Sequence, residues 1–187
     1  KKGNFIRFEP VWKLPIPYQV YINEIALVFL YGRPVKWTQQ STGTDRAFQK
    51  FQDVIEHTHF NSKLRQCKRI AGSETESAML FRVFRDANDA PDVQIRVLAK
   101  SKGDEIYTRW DQYENLISIA WGYYVREQEN SLVYHFDIYT PNIIYRCTRK
   151  SIGWEVVEEV NFIGKIPLIL FQQDKEWKGV EPLIHRE

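Results

Sequence analysis

The sequence predicts an α+β fold, with helices first and a mainly antiparallel meander after them. Three observations carry this reading. Apolar residues recur at three- and four-residue spacing up to about residue 70, and alternate with polar ones from Met79 onward. Turn-forming stretches such as Lys102-Gly103 and Pro141-Asn142 divide the second half at hairpin spacing. Hydrophobic residues make up 43% of the 187, with 11 Phe, 10 Tyr and 6 Trp, which is enough for a sizeable core and argues against disorder.

Residues 1–17 hold Pro10, Pro15 and Pro17 and predict an extended N-terminal arm. From Tyr18 the spacing of Ile22, Ile25, Ala26, Phe29 and Leu30 predicts a first helix. Gly32 suits its C′ position and Pro34 stops its continuation, redirecting the chain into "VKWT" (35–38), a short strand candidate. Thr44 is the expected cap of a second helix over 45–57, with Ala47, Phe48, Phe51, Val54 and Ile55 as its stripe. Asn61 or Ser62 is expected to cap a third, running to about Ile70 with Leu64, Cys67 and Ile70 or Ala71 inward. "GSETES" reads equally as a loop or as more of that helix. Eight strand candidates follow: "MLFRVFR", "VQIRVLAK", "EIYTRW", "NLISIAWGYYVRE", "SLVYHFDIYT", "NIIYRCTR", "WEVVEEV" and "PLILFQQ". Val180-Glu181-Pro182 near the end reads as the first turn of another helix.

Net charge is +2, from 26 basic and 24 acidic residues, so no global field captures DNA or an anionic membrane. Cys67 and Cys147, with no CxxC, predict no disulfide framework and a reducing compartment. The longest apolar stretch, Tyr18 to Tyr31, contains Asn23 and Glu24 and is too short to span a bilayer. No Walker loop, GxSxG, HExxH or GxGxxG occurs, so no catalytic residue, cofactor or metal is assigned.

Weaker constellations have bland explanations. His57 and His59 sit two apart at a helix end, where they complement the helix dipole more readily than they chelate. Lys63, Arg65, Lys68 and Arg69 form a basic run, and the last three share a helix face. A solvated face explains them, and a nucleic-acid or acidic-partner patch is the alternative, which predicts steeply salt-dependent DNA binding. Asp104, Glu105, Asp111 and Glu114 are close enough in sequence to suggest paired acids. A hydrolase using Asp104, Glu105 or Asp111 would need a concave acidic pocket; near strand ends, turn formation and solvated charge are the commoner roles. In "NLISIAWGYYVRE" alternation puts Trp121, Tyr123 and Val125 on one face and Ala120 and Tyr124 on the other, so core packing competes with a stacking platform.

The order of motifs is more informative than any one of them. "LYGRPVKWT" follows the first helix; "YTPNIIY" (139–145), the acidic "EVVEE" (155–159), "NFIGKIP" (161–167) and "EPLIHRE" (181–187) come later. This resembles the portal (head–tail connector) proteins of long-tailed bacteriophages. Their similar elements are a "GKPV", matched at Gly32, Arg33, Pro34 and Val35, and an "N-x-x-GKIP", matched at Asn161, Gly164, Lys165, Ile166 and Pro167. The chain departs from the family's "Y-G-x-A" element, having "GSETESAMLF" there.

The resemblance implies a wing-type α+β domain over 18–172 and, over 173–187, a linker and the truncated start of a stem helix. The chain would then be a fragment of a longer subunit, a monomer or weak associate on its own. The parent would form a dodecameric ring with other portal subunits at one capsid vertex, assembled in the bacterial host cytoplasm from a phage or prophage genome. Capsid or scaffold protein, terminase and the head–tail connector would be its partners. Double-stranded DNA would pass through its channel during packaging and ejection, with no membrane partner and no enzymatic chemistry. Gly32, Pro34, Gly164 and Pro167 would set structural turns, the latter pair between sheet and stem helix.

Overall fold

The computed structural model describes residues 18–39, 45–128 and 131–172. Three helices come first: α1 (Tyr18–Tyr31), α2 (Asp45–His57) and α3 (Phe60–Glu74). Eight strands follow: β1 (Glu76–Arg85), β2 (Pro91–Leu98), β3 (Glu105–Trp110), β4 (Leu116–Gln128), β5 (Ser131–Tyr139), β6 (Ile143–Lys150), β7 (Gly153–Val160) and β8 (Leu168–Gln172). The α+β class is as expected, but the strands do not make one meander. β3 to β7 form a five-stranded sheet in chain order, whereas β8 returns to pair with β1 in a three-stranded sheet ordered β2-β1-β8. Every strand pair is antiparallel.

Period-two alternation makes the three-stranded sheet face two ways. Ala78, Leu80, Leu98 and Leu168 meet Ile119, Trp121 and Tyr139 of the larger sheet in one core. Their neighbours Met79, Ile95 and Val97 meet Cys67 of α3, with Phe60, Leu64 and Phe171 around them, in a second. Met79, Leu98 and Ile119 are wholly buried; each such side chain contributes about 2 kcal/mol. The layers therefore run α3, three-stranded sheet, five-stranded sheet, and no described element covers the outer face of the last.

The helical region differs in detail from expectation. α3 starts at Phe60, after His59 in a left-handed conformation (φ 52°), so neither Asn61 nor Ser62 caps it. "GSE" continues the helix, and Thr75 (φ 70°) turns the chain into β1. "VKWT" is not a strand: among the described residues no strand pairs with it, and the Val35 N–H instead donates to Asn61 Oδ1 at 3.2 Å. Trp37 packs edge-on to Phe51 and Phe60, at 5.2 and 6.2 Å between ring centroids. α1 turns an unexpected side inward. Asn23 and Leu27 are buried, while Ile22, Ile25, Phe29 and Leu30 of the expected stripe are exposed. In a helix that is apolar nearly all round, spacing does not choose the face; polar anchors do. Asn23 Nδ2 donates to the Arg69 carbonyl at 3.1 Å, and Glu24 takes two bonds from the Arg69 guanidinium at 2.6 and 2.9 Å. Gly72 of α3 makes room, since a Cβ there would collide with the Asn23 side chain. The expected arm 1–17, the Thr44 cap and the segment 173–187 lie outside the described residues.

Candidate functional site

The segment Asn161–Pro167 joins the two sheets, leading from β7 into β8 rather than directly into a helix. Asn161 is buried and organises it. Its side-chain amide donates to the carbonyls of Thr140 (2.7 Å) and Lys165 (2.8 Å), while its Oδ1 accepts from the Ile163 N–H (3.2 Å). Its backbone N–H donates to the Asn142 carbonyl. One residue thus ties the loop to the β5–β6 turn. Gly164 sits at φ +67°, a region that costs a side chain about 1 kcal/mol or more and that glycine enters freely. Pro167 is buried just before β8; its carbonyl accepts from the Phe81 N–H at 2.8 Å, and its missing donor is not required there.

Two buried carboxylates lie at the inner face of the large sheet. Asp137 on β5 meets Arg146 on β6 directly across the ladder, with Nη1 to Oδ2 at 2.5 Å. Tyr123 donates to the same Asp137 oxygen at 3.3 Å. Arg146 also donates to the Tyr139 hydroxyl at 3.0 Å and to Glu159 at 3.2 Å. Burial, then the Asp137 charge, pushes Tyr123 up to about 12; burial does the same to Tyr139. Asp104 accepts from the Trp121 indole N–H (2.9 Å), from Arg96 (3.3 Å) and from the Ala99 N–H (3.2 Å), with Arg96 stacked on the Trp121 ring. These groups fasten strands together.

The other acids do likewise. Asp111 takes the N–H groups of Tyr113 and Asn115, both at 2.8 Å, closing the β3–β4 turn, in which Glu114 adopts φ 63°. Glu105 accepts Tyr134 and Tyr107 hydroxyls at 2.6 and 3.0 Å on the outer face. The four candidate acids therefore do not converge on one cleft. In the basic run, Arg69 is committed to Glu24, Arg65 is exposed, and Lys63 and Lys68 are half-buried. His57 ends α2 with Nε2 3.7 Å from Asp92, and His59 forms the α2–α3 corner. Among the described residues no three His, Cys, Asp or Glu converge as a metal site. Cys67 is buried, and burial pushes its thiol up to about 11, as befits a packing residue. An open cleft of about 700 Å³ separates residues 35–38 from α2 and the start of α3, lined by Trp37, Ile55 and Phe60; Gly32, Pro34 and Arg65 line a smaller one beside it.

The surfaces left over are apolar. On the outer face of the large sheet the register brings Tyr107, Tyr124, Tyr134, Phe136 and Trp154 together, from β3, β4, β5 and β7. Successive ring centroids lie 4.9 to 6.3 Å apart along Tyr124–Tyr134–Trp154–Phe136–Tyr107. Gly122 fixes this row: a side chain there would collide with the Tyr134 hydroxyl, which crosses it to reach Glu105. At the other side of the protein α1 exposes Tyr21, Ile22, Val28, Phe29 and Leu30.

The buried carboxylates Asp104 and Asp137 serve internal clamps, two apolar faces are exposed among the described residues, and comparison with known families gives a match. The profile described as "Phage portal protein, SPP1 Gp6-like" matches residues 12–185. The chain belongs to the phage portal protein family. Comparison with curated proteins gives no match. That family is a structural one and implies a virion component. No helix among the described residues is long and apolar enough to cross a membrane. In this portal chain the family-like "NFIGKIP" is the loop that Asn161 organises. Sequence reasoning missed Asp137 and Arg146, although both stand at inward positions of alternating strands, where a charge demands a partner.

Proposed function

We propose that residues 18–172 form the wing-type module of a portal subunit, with residues 1–17 as its entry arm and 173–187 leading toward the stem. Twelve such subunits would ring one capsid vertex, passing double-stranded DNA in packaging and ejection and presenting other parts of the subunit to terminase and the head–tail connector. Gly32 and Pro34 redirect the chain after α1, and Gly164 and Pro167 set the entry to β8. The module contributes shape and contacts, not bond-making chemistry.

The observation that carries this reading is the disposition of charge within a chain of the portal family. Asp104 and Asp137 are buried in ion pairs and Arg69 is engaged by Glu24 at the surface, while the described residues leave the aromatic sheet face and α1 uncovered. Such a surface suits protein neighbours better than a phosphate backbone.

The β6–β7 turn provides the test, because Ile152 at its tip is 98% exposed. Ile152→Cys, labelled with gold in assembled virions, is expected to mark one vertex per capsid. Label spread over the whole shell, or absent from virions, refutes the proposal.

A further inference from the structure

A helix and a sheet each bury one apolar face in a stable layer arrangement, and among the described residues two such faces are unpaired. One is α1, whose exposed side carries Tyr21, Ile22, Ile25, Val28 and Phe29, the last 86% exposed. The other is the aromatic row of the five-stranded sheet. They are different surfaces in different places: α1 rests on α3, and α3 is separated from the aromatic row by both sheets.

Resting on the portal-subunit reading above, we propose that these faces are the two halves of one contact: α1 of one copy lies on the aromatic sheet face of the next. Size supports a second copy as the occupant. With roughly 150–250 Å² presented by a whole aromatic side chain, the uncovered side of α1 amounts to on the order of 10³ Å². A standard interface takes about 800 Å² per partner, and the largest patch on a typical monomer is about 300–600 Å². The lengths also agree. Fourteen residues of helix span about 21 Å, and the sheet face from β3 to β7 on which the ring cluster sits crosses four inter-strand gaps, about 19 Å.

Chemistry supports it too. Glu24, the only charged residue of α1, is turned toward Arg69, so its exposed side brings no charge to be buried. On the sheet, the Tyr107 and Tyr134 hydroxyls are already bonded to Glu105, which lowers the cost of covering them. Arg126 stands on the same face by register as a polar rim, and the Arg149 guanidinium lies over the Trp154 ring, 5.9 Å from its centroid.

Symmetry gives the consequence. A contact between identical patches closes a two-fold dimer, whereas unlike patches join copies head to tail and close only as a ring.

Disulfide trapping of the full chain tests this, since native Cys67 and Cys147 are both buried. Phe29→Cys and Tyr124→Cys are each expected to stay uncross-linked alone, to give dimer when mixed, and to give a multimer ladder when both are in one chain. Val28→Cys with Trp154→Cys should repeat the pattern, and circular dichroism confirms that each variant is folded. Cross-linking of Phe29→Cys to itself overturns the proposal in favour of a two-fold contact, and no dimer from either mixed pair also overturns it. The virion labelling at Ile152 touches neither surface, so it tests the portal reading whichever way the trapping falls.

Discussion

Replacing Asp137 by Ala removes one partner of the inner ion pair and leaves Arg146 stranded. Asp137 is 1% exposed and holds Arg146 at 2.5 Å. Breaking a buried pair costs about 3–5 kcal/mol because the surviving charge remains unpaired. The Arg146 side chain is 33% exposed and keeps Tyr139 and Glu159, which places the loss at the lower end, about 3 kcal/mol. For a domain of this size that corresponds to a fall in Tm of roughly 6–12 °C. Urea titration followed by tryptophan fluorescence measures it, with the midpoint moving and m unchanged. Arg146→Met should cost a similar amount by orphaning Asp137. The double variant Asp137→Ala/Arg146→Met should recover most of the loss, since no buried charge is left. Losses under about 1 kcal/mol in the single variants, or simple additivity in the double, would refute the assignment of this pair as the polar clamp of the large sheet.

Asn161→Ala deletes three side-chain bonds and leaves the Thr140 and Lys165 carbonyls without that partner. A loss of about 2–4 kcal/mol is expected, with faster amide exchange at Ile163 and Gly164; unchanged exchange there would show that the loop stands without its asparagine. Alkaline titration probes Tyr123 and Tyr139, both pushed by burial from 10 to about 12 in the folded chain. Between those pH values the unfolded chain sheds protons that the folded chain keeps. Their stabilisation is therefore whole below pH 10 and falls as pH rises toward 12, by up to about 1.4 kcal/mol per pH unit for each ring. Urea midpoints alongside tyrosinate absorbance measure this, and a stability flat across that window contradicts the buried placement.

The strands were readable because alternation is a local signal. "MLFRVFR" and "VQIRVLAK" carry their hairpin in the intervening turn at residues 86–90, and the pairing of Phe81 with Ile95 follows from it. Nothing local announces that β8 leaves the meander and joins β1, because that pairing depends on which edge the Asn161 loop faces. The aromatic strands were half legible. Alternation correctly parted Trp121 and Tyr123 from Tyr124, but it could not say that one sheet face would be covered and the other left open. α1 was legible as a helix but not in its inward face, for a related reason: that face was chosen by Asn23 and Glu24 meeting Arg69, partners 46 and 45 residues away. The four candidate acids were rightly read as turn and strand-end residues, with Asp104 the exception in being buried against Trp121. The "N-x-x-GKIP" motif was visible as a pattern, but its purpose emerges only when Asn161 is seen holding two carbonyls.

The late return of β8 also governs how this protein can be made. Glu76 waits for Gln172, 96 positions downstream, before the middle strand of the smaller sheet has a neighbour on both sides. Until synthesis has passed that point, the hairpin of β1 and β2 shows an open edge, a template for mispairing with another nascent chain. The longest-range strand pairing among the described residues is thus completed by one of the shortest strands, and β8 both ends the wait and seals the smaller sheet.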